Sequence, residues 1–206
     1  MIRFFPQHTS LQTIMTDSDF FGRTGELETL QDAYESTTAE MAIIYGRRRV
    51  GKTALIRKFC EGKPLFFYTA KAWKDDFQLE AFSQAVGAVR RNPQQRFLDW
   101  PAALRALTDQ PCDARRVIVI DEFQHIAKER PSILSELQVL WDEELSRKNI
   151  FLILCGSAVS FISSSLANVD TQNLLRRFLD LRKPPQSVDT QQKRRLLSCV
   201  KVAFLL

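Results

Sequence analysis

A parallel three-layer α/β sheet is the fold class this sequence predicts, and three observations carry the prediction. Four short runs, at 41–45, 65–69, 117–120 and 151–155, are apolar without polar alternation, as strands covered on both faces must be. Segments with apolar residues at helical spacing separate these runs. The resulting βα alternation calls for right-handed crossovers and places ligands beyond the carboxyl ends of the strands.

The elements follow in order. Residues 1 to about 18 carry no periodic pattern. Leu27, Leu30, Ala33 and Tyr34 then recur at helical spacing behind Thr24, a residue type that caps helix N-termini. Met41 to Tyr45 is the first strand, ended by Gly46, and Ala54, Leu55, Lys58 and Phe59 mark a short helix. Pro64 punctuates the turn into an aromatic second strand, Leu65 to Thr69. Phe77, Ala81, Phe82, Ala85, Val86 and Val89 form one helical stripe; Ala103, Leu104 and Leu107 form a shorter one behind Pro101, a residue favoured at the first helical position. Val117 to Ile120 is the third strand. Leu134, Leu137, Leu140, Trp141 and Leu145 share a helical face before the fourth, Phe151 to Cys155.

A length of 206 residues fits one full domain and an appendage, and 45% apolar with 26% charged residues is a globular composition. The net charge of +5 is local: from Asp170 onward there are eight basic and three acidic residues, leaving 21 of each sign before it. The basic balance therefore says nothing about the partners of the main domain. All seven glycines lie at or before Gly156, a composition shift at the same boundary. We expect an N-terminal extension over 1–19, a domain over 20–162 and a divergent basic tail over 163–206. No run is long enough to span a membrane and Met1 to Phe5 lacks a signal-peptide core, so a cytoplasmic protein is expected. Cys60, Cys112, Cys155 and Cys199 are far apart and read as buried thiols, while His8 and His125 are too isolated for a metal cluster and are no catalytic candidates.

The chemistry concentrates behind the first strand. Gly46-Arg47-Arg48-Arg49-Val50-Gly51-Lys52-Thr53, followed by Ala54, fits G-x-x-x-x-G-K-[ST] between a buried strand and a helix, the context that a phosphate-binding loop requires. Glycines let the backbone wrap closely, its N–H groups and the helix N-terminus face phosphate oxygens, Lys52 supplies a point charge and Thr53 a hydroxyl for magnesium. The side chains of the three arginines either touch phosphate or form a solvated basic turn. The third strand delivers Asp121 and Glu122 to its carboxyl end: Asp121 would hold magnesium and Glu122 would polarise the water that attacks the terminal phosphate. Alone, the same pair would read as a helix cap and a first-turn acid. Gly156-Ser157 ends the fourth strand, where Ser157 could hold water or phosphate, cap a helix, or do both. Gln124 is a candidate phosphate sensor or an ordinary loop amide.

Taken together, Phe20-Phe21-Gly22-Arg23, Gly25-Glu26-Leu27, the loop from Tyr45 to Thr53, Asp121-Glu122-Phe123-Gln124 and Leu154-Cys155-Gly156-Ser157 resemble the archaeal and bacterial P-loop ATPases of the AAA+/STAND-like class. The resemblance runs from about Phe20 to Ile162. It implies that Gly22 and Arg23 pack near adenine, that Glu122 is the catalytic acid, that Ser157 is a sensor, and that the fourth strand lies between the first and third. After Ile162 the pattern is lost, which implies a C-terminally truncated ATPase domain with its fifth strand and helical lid missing or altered; the final apolar run reads as an edge strand or a sticky terminus. Arg176 and Arg177 read as a solvated face rather than as the arginine that neutralises the terminal phosphate.

The function expected is a magnesium-dependent ATPase, ATP to ADP and phosphate, weak or inactive by itself; the alternative is a non-catalytic nucleotide-binding or interaction module. ATP and Mg²⁺ are the expected cofactors. A protein partner or a second copy would supply an arginine, the fragment shows no recognition-helix motif for nucleic acid, and no membrane association is expected.

Overall fold

Each apolar run becomes a strand of one sheet, because each contributes side chains to both of its faces. The computed structural model describes residues 23–46, 48–109, 112–157 and 201–204. Strands β1 (Glu40–Gly46), β2 (Leu65–Thr69), β3 (Arg116–Asp121), β4 (Ile150–Ser157) and β5 (Lys201–Phe204) lie in the order β2-β3-β4-β1-β5, and every neighbouring pair is parallel. The fourth strand therefore stands between the first and third, as the resemblance implies. The edge beyond β1 is filled by the terminal apolar run, with Val202 opposite Ile43, so a fifth strand completes the sheet.

Parallel neighbours need crossovers, and helices supply those between the first four strands. These are α2 (Lys52–Phe59), α3 (Asp75–Val89), α4 (Trp100–Thr108), α5 (Gln124–Glu129) and α6 (Ile133–Glu143), while α1 (Thr24–Glu35) precedes β1. Since successive strand residues point to opposite faces, the sheet feeds two cores. Ile43, Ile118, Ile120, Leu152 and Leu154 meet α3 to α6, while Ala42, Ile44, Val117, Val119, Phe151 and Ile153 meet Leu30 and Ala33 of α1 and Leu55, Ile56 and Phe59 of α2. This is the three-layer arrangement. Among the described residues no helix is long and apolar enough to cross a membrane.

Several local expectations are refined. Arg23, rather than Thr24, stands at the cap position of α1, and Thr24 is its first helical residue. Asp99 caps α4, its carboxylate accepting the Ala102 N–H at 2.7 Å, with Pro101 in the first turn. In α3 only the middle of the apolar stripe is covered: Phe82 and Val86 are fully buried, whereas Phe77 and Val89 are exposed. The middle of α3 is the part that meets Phe66 and Tyr68 of β2 and Trp100 of α4. Arg115 is buried and donates to the carbonyls of Ala33 (2.8 Å), Tyr34 (3.0 Å) and Thr38. It thereby satisfies the open carbonyl end of α1 and fastens it to the start of β3.

The cysteines divide. Cys60 and Cys155 are buried, but Cys112 is exposed, contrary to expectation, because it sits in the loop before β3 rather than in an apolar element; Cys199 lies outside the described residues. Burial pushes the Cys60 thiol up to about 12, opposed by Lys63. Brief alkylation of the native protein followed by peptide mass spectrometry is expected to mark Cys112 and to reach Cys60 and Cys155 only after denaturation.

Candidate functional site

The site forms where β1, β3 and β4 end together. Past Gly46 the chain turns through Arg49 (φ 64°) and Gly51 (φ 81°), both in the left-handed region, before α2 starts at Lys52. A side chain is tolerated there at Arg49 only with backbone strain, of order 1–3 kcal/mol. At Gly51 the left-handed turn needs no such compensation. Its carbonyl accepts the Leu55 N–H at 2.9 Å and so begins the helix. Lys52 reaches back across the loop to donate to the Gly46 carbonyl at 3.2 Å. Arg23 donates to the Val50 carbonyl, tying the start of α1 to the loop. The loop and helix N-terminus open onto a cavity of about 630 Å³ lined by Arg48, Arg49, Gly51, Lys52, Thr53, Ala54, Glu122 and His125.

The end of β3 brings Glu122 to that cavity and Asp121 to Thr53 beside it. Asp121 is buried, its Oδ2 accepting from the Thr53 hydroxyl at 2.9 Å and its Oδ1 from the Glu122 N–H at 2.9 Å. The Cys155 thiol on β4 lies against Asp121; burial first, and then the Asp121 charge and hydrogen bond, push its pKa up and keep it a thiol. Glu122 follows in the left-handed region (φ 54°), with the backbone pinned on both sides: the Asp121 carbonyl accepts from Ala70 and the Cys155 carbonyl from Phe123, each at 2.9 Å. Glu122 accepts a hydrogen bond from the Gln124 side-chain amide.

The expected site residues thus converge, from two motifs far apart in the chain. Gly46, Lys52, Thr53, Asp121 and Glu122 meet at one end of the sheet, with Arg48, Arg49, Val50, Gly51 and Ala54 on the loop and helix between them. Ser157 ends β4 in register with Gly46, at the same end. Gly22 and Arg47 lie outside the described residues. Neither carboxylate caps α5, whose cap position is held by Phe123. Gln124 is no loop amide: it is buried and opens α5. His125 is no catalytic candidate by sequence, yet it lines the cavity. The only sequence signal for it is its position just after the carboxylates, and α5, at six residues, is too short to show a period.

Residues 20–182 match the family described as an ATPase domain predominantly from Archaea. The chain belongs to this archaeal ATPase-domain family. Among curated relatives, the uncharacterized protein MJECL04 of Methanocaldococcus jannaschii is 32% identical over 147 residues, 71% of this chain and 31% of its own length. The uncharacterized ATP-binding protein MJ0423 of the same organism is 50% identical over 46 residues, 22% of this chain and 78% of its own. The chain therefore spans about a third of the first of these relatives. Among solved structures, the Walker-type ATPase PABY2304 of Pyrococcus abyssi superposes with a TM-score of 0.54 at 16% identity, over 82% of this chain and 61% of that one. At that identity the likeness speaks for the P-loop fold alone.

Proposed function

We propose that this ATPase domain binds ATP with magnesium and hydrolyses it to ADP and phosphate. The observation that carries the reading is the 2.9 Å contact between the Thr53 hydroxyl and the Asp121 carboxylate, which joins two motifs 68 residues apart beside the cavity that Lys52 and Glu122 line. A hydroxyl and a carboxylate are hard oxygen donors, and magnesium is characteristically held by one or two such protein groups together with substrate phosphates. The pair fits the ion. Thr53 and Asp121 would hold it, and bound there it would offset charge on the phosphates.

The chain's own residues supply the rest. Loop amides and the N-terminus of α2 face the phosphate oxygens, and Lys52 gives up its hold on the Gly46 carbonyl to meet them. Glu122 orients a water and takes its proton as the terminal phosphoryl group leaves. In this reading Arg23 and Gly22 are assigned to the adenine, and Ser157 takes the sensor position. An arginine from a second copy or a protein partner would raise turnover by neutralising charge in the transition state.

Lys52→Ala tests the binding half. Equilibrium titration with magnesium and ATP is expected to show affinity reduced about 10- to 100-fold, the worth of one charge-assisted contact. Unchanged affinity in folded mutant protein would remove the phosphate-loop assignment.

A further inference from the structure

We propose that Gln124 is a positioning residue for Glu122, holding one oxygen of its carboxylate so that the other is left to meet the attacking water. This rests on the ATPase reading above. The Gln124 amide donates to Glu122 Oε2, and Oε1 has no hydrogen-bond partner among the described residues. Glu122 itself lines the cavity beside Lys52 and Thr53.

The pairing follows from backbone geometry. Side chains two positions apart do not face each other on a helix. They meet here because Glu122 stands outside α5 in the left-handed region, with the next residue, Phe123, at the cap position. The Asp121 carbonyl and the Phe123 N–H are tied to the neighbouring chain segments, which leaves the Glu122 backbone little freedom to turn away. The donor is equally fixed: Gln124 is 4% exposed, and the residues around it, Phe123, Ile126 and Ala127, are buried in the larger core. A carboxylate on a flexible side chain would sample several rotamers in a cavity of this size. Gripping one oxygen selects one of them without blocking the other.

Gln124→Met keeps length and bulk while removing the donor. With Glu122 no longer aimed, kcat for ATP hydrolysis is expected to fall about tenfold or more, since small displacements of a reacting group are costly, while KM and ATP affinity change less than about threefold. In a Glu122→Gln background the same substitution is expected to add no further loss. An unchanged kcat, an effect confined to KM, or an equal loss in both backgrounds would overturn the proposal. A second readout does not depend on turnover. In the nuclear magnetic resonance spectrum of the wild-type chain the Gln124 side-chain amide is expected to exchange slowly with solvent, and to lose that protection in Glu122→Ala while the backbone amides of α5 keep theirs. If that amide exchanges freely in the wild type, or is equally protected without the Glu122 carboxylate, Gln124 does not hold it. Protection that depends on Glu122 in a protein with no ATP turnover would instead sink the ATPase reading and leave the contact standing.

Discussion

Glu122→Gln is expected to leave a folded protein that binds ATP as the parent does and turns it over at least about 100-fold more slowly. The substitution keeps the shape of the side chain and removes its capacity to take a proton. General-base catalysis contributes about 10² to 10⁴ in rate, so the loss corresponds to a barrier raised by about 3 kcal/mol or more. Binding is expected to be spared because, in the proposed reading, the phosphate contacts come from the loop amides and Lys52 rather than from Glu122. Steady-state phosphate release, measured beside an equilibrium titration with ATP, separates the two effects. A mutant that hydrolyses ATP at the parent's rate would show that Glu122 is not the base.

How far this site could be read from sequence depends on which interactions set each feature. The strands were legible because burial on both faces removes polar residues: Leu65–Thr69 is a strand over the span its composition marks, and the other three runs extend by one or two residues at an end. The glycine-rich loop was legible because its glycine spacing is a local requirement of the backbone and its lysine one of the proposed ligand. The order of strands was not contained in periodicity. It entered through the family resemblance, and the pairing of β4 with both β1 and β3 agrees with it.

What could not be read are features set by tertiary contacts. The left-handed backbone at Glu122 is fixed by hydrogen bonds to Ala70, just past β2, and to Cys155 of β4 on either side of it, and nothing in the residue type announces it. The role of Gln124 depends on that conformation, and the place of His125 on the direction of a helix with fewer than two turns. Phe77 belongs by spacing to the same stripe as Phe82, but the stripe does not record where the sheet stops.

That last distinction has a large energetic consequence. Phe82→Ala is expected to destabilise the domain by about 3–5 kcal/mol, the range for removing a buried aromatic side chain. Phe82 is fully buried and meets Phe66 at 5.5 Å, Tyr68 at 5.1 Å and Trp100 at 5.1 Å between ring centroids. Its loss opens a cavity where α3, α4 and β2 join, and rings fixed in different elements cannot all move in to fill it. A typical domain has only about 5–15 kcal/mol in total, so the mutant would sit near its unfolding limit. Phe77→Ala on the same helix, 60% exposed, is the contrasting case and should change stability by less than about 1 kcal/mol. Urea unfolding of the three proteins measures both differences. The same experiment reports on the site, because α2, which follows the glycine-rich loop, packs on the other face of the sheet, and the site should survive in folded Phe82→Ala. Magnesium and ATP at about 100 times Kd would then return about 2.7 kcal/mol to mutant and parent alike. A mutant that loses stability but gains nothing from ATP, beside a parent that does gain, would mean that the α3 core and the nucleotide site are coupled through β2 and β3 rather than separated by the sheet.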